Sequence, residues 1–260
     1  MVSVKIPDFC IEQIANSGQC FRVNKIGETL WQVVALGKVL QIEQTKDTCI
    51  FYCSLDEYEK IWIDYFDIER DYAEIKNSIL KLNDQYLLRA VQYGSGLRML
   101  RQDVWEVMVS FIISQRNSIP RIKNTIERLC ALYGAIFPSA DILAKYTTED
   151  FEEIGLGYRA KYLVDIAKAV FSGKFDIKHL KMLDYKESIE YLKQVNGIGD
   201  KVANCIALFG LHKIEAFPRD VWINRIIEKQ YNGEFDVNRF SKYAGIVQQY
   251  MFFYERSLRR

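Results

Sequence analysis

The spacing of apolar positions divides the chain into two parts. From about residue 20 to 53, short runs rich in Val, Ile, Phe, Tyr and Trp alternate with polar or glycine-containing breaks such as NKIGE and TKD. Such runs predict antiparallel strands connected as a meander. The predicted strands lie in CFRV, LWQVVALG, KVLQIEQ and CIFYC. We therefore expect the first part of the chain to be mostly β-sheet.

The pattern changes at Ser54 and becomes helical. In SLDE, Ser54 is a predicted N-cap and Glu57 follows three residues later, which is the capping-box signature of a helix start. After about residue 85 the apolar spacing is helical throughout. The fold class is therefore α+β, with an N-terminal antiparallel β-sheet domain and flanking helices (1–88) packed on a mostly helical body (89–260).

A glycine turn joins two of the predicted helices. KESIEYLKQV (186–195) is amphipathic, NGIG (196–199) is the turn, and DKVANCIALF (200–209) is a second helix that ends at Gly210. The free N–H groups at the start of the second helix form an anion site that suits a DNA phosphate. We interpret residues 186–210 as a helix-hairpin-helix motif.

Lys201 stands in the first turn of the second hairpin helix. The positive end of a helix disfavours an ammonium there by about 0.3–1 kcal/mol, so stability does not explain this lysine. Asp220 follows Pro218, lies 19 residues after Lys201, and is a predicted N-cap for the next helix. Two antiparallel helices would present both side chains to one cleft, so Lys201 and Asp220 form a candidate catalytic pair.

Composition narrows the class of protein. The chain has 260 residues, is 49% hydrophobic and carries a net charge of +1. Its longest apolar run, VWEVMVSFII, is too short to span a bilayer, and no signal-peptide pattern precedes it. Six scattered cysteines without CxxC pairs, and only two histidines, argue against a zinc centre, a disulfide scaffold or an iron–sulfur cluster.

Basic residues gather in three stretches, RNSIPRIK (116–123), YRAK (158–161) and RSLRR (256–260), whereas acidic residues concentrate between 54 and 71. This distribution is compatible with one basic face and equally with mixed solvated charge.

Seven sequence blocks resemble the helix-hairpin-helix DNA glycosylases with a Gly/Pro…Asp signature, and among them the 8-oxoguanine DNA glycosylases. They occur in the family's order as SGQCFR (17–22), LRQDVWEVMVSFIIS (100–114), IERLC (126–130), GLGYRAKY (155–162), VNGIGDKVANC (195–205), FPRDVW (217–222) and YAGIVQQYMFF (243–253). Adenine-specific relatives and endonuclease III usually carry an iron–sulfur cluster, which this sequence cannot build.

The resemblance implies a bifunctional enzyme that excises 8-oxoguanine from duplex DNA. Lys201 would attack C1′ and form a Schiff base that permits β-elimination, the AP lyase step, while Asp220 would stabilise the sugar cation. The residues implied to hold the flipped base are Gly18, Cys205, Pro218, Gln248 and Phe252. Gly18 would offer its carbonyl to the N7 hydrogen that distinguishes 8-oxoguanine from guanine, and Gln248 would bond the Watson–Crick edge.

The resemblance also implies a set of DNA contacts. Tyr158 would fill the gap left by the flipped base, and Arg121 and Arg159 would contact the orphaned cytosine. The other implied DNA contacts are Asn117, Gly197, Gly199, Val202 and Trp222. The chain departs from the family at Arg116, which stands where an asparagine that contacts cytosine is expected, and this puts the opposite-base preference in question.

The family often binds a cation at the hairpin, and the matching backbone carbonyls are those of Lys193, Val195 and Ile198, for a structural monovalent or calcium ion. No cofactor is expected for the chemistry. We expect a monomer that acts on double-stranded DNA without membrane association, in the cytoplasm at the nucleoid in a bacterium or in the nucleus in a eukaryote. Two alternatives stay open, a glycosylase for another damaged base and a non-catalytic helix-hairpin-helix DNA-binding protein.

Overall fold

A computed structural model describes residues 1–134 and 136–258. The chain forms two compact units, one made of Met1–Arg101 and His212–Arg260 and the other of Gln102–Leu211. Of the basic stretch predicted at 256–260, Arg259 and Arg260 lie outside the described residues.

Fifteen α-helical segments lie in the described ranges, with one π-helical and one 3₁₀ turn. They are α1 Ile11–Asn16, α2 Leu55–Glu57, the π-turn Tyr58–Trp62, α3 Ile63–Tyr65, α4 Tyr72–Leu80, α5 Gln85–Tyr93, α6 Val104–Ile113, α7 Ile119–Ala131, α8 Ala140–Leu143, α9 Thr148–Glu153, α10 Arg159–Phe171, α11 Ile177–Met182, α12 Tyr185–Lys193, α13 Asp200–Phe209, α14 Val221–Tyr231, the 3₁₀ turn Val237–Tyr243 and α15 Ala244–Ser257. None of these helices is long and apolar enough to cross a membrane.

The first unit contains a five-stranded antiparallel sheet in the order β1-β5-β4-β3-β2. The strands are β1 Val2–Lys5, β2 Val23–Lys25, β3 Leu30–Ala35, β4 Lys38–Thr45 and β5 Thr48–Phe51. Residues of β3 alternate between buried and half-buried positions, as expected of a sheet with one face on a core. The predicted meander is confirmed for β2 to β5, and β1 is an additional edge strand that pairs with β5.

The predicted helix start at Ser54 is confirmed, but the reciprocal half of the capping box is not formed. Ser54 Oγ accepts the backbone N–H of Glu57 at 3.1 Å. The Glu57 carboxylate instead accepts from the Trp62 indole N–H at 2.9 Å. This bond fixes the buried Trp62 ring in the π-turn, so Glu57 contributes to packing rather than to the cap.

Asp67 is a buried charged residue that connects the two chain segments of the first unit. Its carboxylate accepts from Arg70 at 2.5 Å, from Arg101 at 2.9 Å and from the Tyr72 hydroxyl at 3.1 Å. The His212 Nε2 atom lies 3.6 Å away. Because Arg101 ends one segment of this unit and His212 begins the other, Asp67 links both ends.

The boundary predicted between residues 88 and 89 falls inside α5, and the compact units divide the chain elsewhere. Helix α15 packs against α5, where the rings of Tyr93 and Phe253 lie 5.1 Å apart. The Tyr86 hydroxyl also donates to Glu255 at 3.4 Å. The C-terminal helix therefore belongs to the unit that contains the sheet, because its apolar face is buried there.

The second unit is helical and is organised around α6. Every residue of α6 except Glu106 is buried, and α7, α10 and α13 all contact it. Asp103 caps α6 by accepting the backbone N–H of Glu106 at 2.9 Å. The hairpin helix α13 therefore packs against α6, a largely buried apolar helix of the same unit.

Candidate active site

The helix-hairpin-helix motif predicted at about 186–210 is present in the second unit as α12, a glycine turn and α13. Asp184 and Glu187 form a complete capping box at the start of α12, with bonds of 2.8 and 3.1 Å. Gly197 takes φ +86°, a conformation that glycine adopts without steric cost. A Cβ at Gly197 would lie only 2.4 Å from the Tyr162 ring, so two independent constraints require glycine at this position.

The start of α13 carries the backbone N–H groups that the sequence predicts to bind a phosphate. Gly199 is the N-cap and supplies no side-chain acceptor, so the first N–H groups of the helix have no intrahelical partner. The side chain of Val202 is buried, with 5% exposure. Of Val202, only the backbone N–H is therefore available as a DNA contact.

Lys201 lies in the first turn of α13, and its ammonium stands 5.5 Å from the centroid of the Phe111 ring. Phe111 is buried and stacks on Phe209 at 5.2 Å, so the lysine faces a fixed aromatic surface. Cys205 follows one helical turn later and is 3% exposed. Lys201 and Cys205 lie on the same side of α13, as their spacing predicts.

The carbonyls predicted to bind a cation lie in and beside the same turn. The Val195 carbonyl accepts the Ile198 N–H at 3.0 Å. The Lys193 ammonium pairs with Asp200 at 2.9 Å. Among the described residues there is no cluster of three or more His, Cys, Asp or Glu side chains that could hold a metal.

The predicted opposite-strand contacts surround the loop after α6. Arg116 is exposed and has φ +46°, the left-handed region that disfavours most side chains. Asn117 is engaged locally, since its Nδ2 donates to the Ile113 carbonyl at 3.2 Å and its Oδ1 accepts the Ser118 N–H at 3.0 Å. Arg121, in the first turn of α7, is exposed.

Arg159 is buried at 7% exposure and is bonded to backbone carbonyls. It donates to Gln115 at 2.7 Å, to Leu156 at 3.1 Å and to Arg116 at 3.1 Å. Tyr158 is 50% exposed and its ring lies 4.5 Å from the Arg159 guanidinium. Tyr158 therefore has the exposure that a wedge needs, whereas Arg159 must exchange hydrogen bonds before it can contact a base.

The first unit holds the remaining predicted residues. Asp220 caps α14, and its Oδ1 accepts the Ile223 N–H at 2.9 Å, which confirms the predicted cap. Trp222, in the first turn of α14, is partly exposed, and the Arg225 guanidinium lies 5.4 Å from its ring.

Gln248 of α15 is buried at 3% exposure, and its amide is bonded at both ends. Its Nε2 donates to the Pro218 carbonyl at 3.2 Å, and its Oε1 accepts from Gln249 Nε2 at 3.1 Å. Pro218, two residues before Asp220, is thereby held in place. The Gln248 amide keeps one further N–H donor and one further acceptor lone pair beyond these two bonds.

Gly18 has φ +79°, a left-handed conformation that suits glycine. The anchor of this turn is Gln19, a buried side chain that donates to the Arg98 carbonyl at 2.9 Å and accepts the Leu100 N–H at 2.9 Å. The adjoining Asn16 carbonyl accepts from Arg256 at 3.2 Å. The SGQ motif shows that Gln19 stands beside Gly18. It does not indicate the hydrogen-bond partners of Gln19, which lie about 80 residues away in the sequence.

Phe252 lies in α15 on the same side as Arg256, whose guanidinium is 5.3 Å from the Phe252 ring. Arg256 thus connects Phe252 to the chain just before Gly18. The structure brings Gly18, Pro218, Asp220, Trp222, Gln248 and Phe252 into the first unit, and Asn117, Arg121, Tyr158, Arg159, Gly197, Gly199, Lys201, Val202 and Cys205 into the second.

Comparison with known proteins identifies the family. Residues 1–108 match the family model described as 8-oxoguanine DNA glycosylase, N-terminal domain, and residues 109–236 match the HhH-GPD superfamily of base excision DNA repair proteins. A probable N-glycosylase/DNA lyase of Methanothermobacter thermautotrophicus is 30% identical over 230 residues, covering 74% of this chain and 72% of its own length.

Solved structures agree with the sequence match. The structure of MBOgg1 in complex with a low-affinity DNA ligand has a TM-score of 0.93 and 37% identity, covering 99% of this chain and 96% of that one. The 8-oxoguanine glycosylase/lyase of Clostridium acetobutylicum, bound to double-stranded DNA with cytosine opposite 8-oxoguanine, has a TM-score of 0.90 and 33% identity, covering 98% and 94%. The chain belongs to the 8-oxoguanine DNA glycosylase/lyase family of the HhH-GPD superfamily.

Proposed function

We propose that this glycosylase/lyase flips 8-oxoguanine out of duplex DNA and excises it with Lys201 as the nucleophile. The observation that carries the proposal is the position of Lys201, in the first turn of the helix that follows the phosphate-binding hairpin. Its ammonium lies beside the Phe111 ring. A lysine in this position has access to a nucleotide whose phosphate is held by the adjoining N–H groups.

The neutral amine of Lys201 attacks C1′ while the bond from C1′ to the base breaks, and the departing base takes up a proton. The covalent product opens to a Schiff base. Removal of a proton from C2′ then expels the 3′ phosphate by β-elimination. Asp220 supplies negative charge for the cationic sugar, and its Oδ1 remains the cap of α14.

Base recognition is proposed to use the residues that the family resemblance implies. A base must leave the stack to be read in a pocket. Gly18 would accept the N7 hydrogen through its carbonyl, Gln248 would bond the Watson–Crick edge, and Cys205 and Phe252 would contact the ring faces, with Pro218 lining the pocket. The bonds of Gln248 to Pro218 and Gln249 fix the orientation of its amide and leave one N–H and one acceptor lone pair for the base.

The contacts with the DNA backbone and the opposite strand are likewise proposed from the family resemblance. The N–H groups at Gly197, Gly199 and Val202 would hold a phosphate, and Tyr158 would enter the stack. Arg121, Arg159 and Asn117 would contact the orphaned cytosine, with Trp222 touching the backbone from α14. This assignment follows the family match, and the exposed positions of Arg121 and Tyr158 support it.

A structural cation at the hairpin fits the groups that are present. Backbone carbonyls are hard ligands that suit calcium or a monovalent ion. The carbonyls of Lys193, Val195 and Ile198 would hold it, with Val195 also keeping its bond from Ile198. Such an ion would brace the turn, and the chemistry itself requires no cofactor.

The decisive experiment is borohydride trapping on duplexes that contain 8-oxoguanine, uracil or an alkylated adenine. We expect a covalent complex with 8-oxoguanine, and we expect Lys201→Gln to abolish both trapping and base excision while duplex binding persists. Lys186→Gln, at an exposed lysine of α12, is the matched control and should trap like the parent.

Each other outcome supports a different function. Trapping with uracil or alkylated adenine instead would identify another damaged base as the substrate. Binding without excision of any of the three bases would identify a non-catalytic DNA-binding protein. Continued trapping by Lys201→Gln would show that another amine is the nucleophile.

A further inference from the structure

Gln115, directly before Arg116, is bonded to the hairpin turn through its side chain. Its Nε2 donates to the Gly197 carbonyl at 3.0 Å across 82 residues of sequence. The Tyr162 ring also packs closely against Gly197 and occupies the space that a Cβ would need. The amide therefore binds a turn that has little freedom of its own.

The backbone of Gln115 is held as tightly as its side chain. Its carbonyl accepts from Arg159 Nε at 2.7 Å, from Arg159 Nη2, and from the Tyr158 hydroxyl at 3.2 Å. Arg159 Nη2 also donates to the Arg116 carbonyl at 3.1 Å. These bonds fix the start of α10 to the turn that carries Arg116.

These contacts surround a surface recess of about 320 Å³ that is lined by Gln115, Arg116, Tyr158 and Tyr162. The hydrogen bonds of Gln115 reach two of the elements proposed to contact DNA in this unit, namely the hairpin turn and the start of α10. Gln115 itself adjoins a further one, the turn of Arg116 and Asn117.

We infer that Gln115 is a positioning residue that locks the hairpin turn to the Arg116 turn, so that the phosphate contact and the opposite-strand contact are held in one fixed register. The inference rests on the proposed function, because the elements joined are the DNA contacts assigned above. The Gln115 amide acts on Gly197, not on DNA.

The test replaces the amide without shortening the side chain. Gln115→Met has nearly the same length and no N–H donor, and Gln194→Met makes the same chemical change at an exposed glutamine of the same unit. The ligand is a duplex with a tetrahydrofuran abasic analogue opposite cytosine. Affinity, hydrogen exchange of the DNA-free protein and the midpoint of thermal unfolding are measured for each variant.

For Gln115→Met we expect affinity to fall about two- to twelvefold, which corresponds to the loss of one hydrogen bond. Without DNA, amide exchange should rise at 115–118 and at 196–199, with no comparable rise elsewhere in the unit. The thermal midpoint should fall by no more than about 6 °C, as expected for the loss of one hydrogen bond. Gln194→Met should match the parent in all three measurements.

Three results would overturn the inference. Lower affinity with unchanged exchange would mean that Gln115 touches DNA itself. Unchanged affinity would mean that the link does not serve DNA binding, and a large drop in thermal midpoint with exchange raised throughout the unit would make Gln115 a general packing residue. If the parent fails to prefer the abasic duplex over an undamaged one, the proposed function fails instead, and this is seen before any variant is compared.

Discussion

Asp220 Oδ1 accepts the backbone N–H of Ile223 at 2.9 Å, so the proposed catalytic carboxylate is also the cap of α14. An asparagine keeps the capping oxygen but not the negative charge. We therefore expect Asp220→Asn to change the free energy of unfolding by no more than about 1 kcal/mol, and to slow excision at least about a hundredfold. Urea unfolding and single-turnover kinetics separate the two effects, and equal excision rates would reduce Asp220 to a cap.

Alanine substitutions at the two hairpin glycines are expected to affect different properties of the protein. Gly197→Ala places a methyl group 2.4 Å from the Tyr162 ring at φ +86°, so it should destabilise the protein by about 2–5 kcal/mol. At Gly199, with φ −95°, an added Cβ meets no atom within 4 Å. Gly199→Ala should thus change stability by less than about 1 kcal/mol.

The consequence of Gly199→Ala should appear on DNA instead. If a phosphate approaches the start of α13, the methyl group obstructs it, and affinity for an abasic-analogue duplex should fall at least about tenfold. Fluorescence anisotropy beside a thermal unfolding curve measures both quantities. Parent-like affinity would mean that no phosphate lies against Gly199.

Asp67 should make the stability of the protein sensitive to acid. Burial alone raises the pKa of its carboxyl, but hydrogen bonds from His212 and Arg70 and their charges outweigh burial and lower the pKa well below its usual range. As the pH falls, Asp67 therefore takes up a proton at a higher pH in the unfolded chain than in the folded protein. The stability from this group is therefore present above the unfolded pKa of about 3.9 and is lost as the pH falls below it.

Asp67→Asn should lower the free energy of unfolding by about 3 kcal/mol at pH 7, because Arg70 and Arg101 lose a buried partner. The difference from the parent should begin to shrink near pH 4 and should continue to shrink as the pH falls further. Asp56→Asn, in an exposed pair with Lys60, should cost less than about 1 kcal/mol at either pH. A difference for Asp67→Asn that stays constant with pH would contradict the assignment.

Local patterns in the sequence predict the features that depend on neighbours in the chain. The meander, the caps at Ser54 and Asp220 and the glycine turn at 196–199 all follow from residues within a few positions of one another. The edge strand β1 is missed because it has only four residues, two of them exposed. Its stability comes from pairing with β5, which no local pattern contains.

Polar links between distant residues could not be predicted. Gln115 bonds Gly197 across 82 residues, and Gln19 bonds Arg98 and Leu100 across about 80. Apolar periodicity shows which face of an element is buried but not which polar group faces it. The same limit applies to Gln248, whose match to the family indicates a role with the base, whereas its present partners are Pro218 and Gln249.

Arg116 stands where the family resemblance implies an asparagine. Its backbone is also in the left-handed region, at φ +46°. Cytosine offers acceptors at O2 and N3 and a donor at its amino group, and each good polar contact contributes about 1–3 kcal/mol of discrimination. Arginine donates only, so it cannot accept from the amino group. We expect efficient excision opposite cytosine, with a milder penalty opposite adenine, guanine or thymine than strict discrimination gives.

Two substitutions at this position separate the side chain from the backbone. Arg116→Asn restores an acceptor and suits the left-handed region, so it should keep or raise stability and sharpen the preference for cytosine. Arg116→Gly relieves the backbone equally without an amide and should leave the preference weak. Single-turnover rates opposite all four bases measure this. A parent rate opposite adenine more than about a thousandfold below that opposite cytosine, roughly 4 kcal/mol, would contradict the prediction and indicate that Asn117 supplies the missing contact.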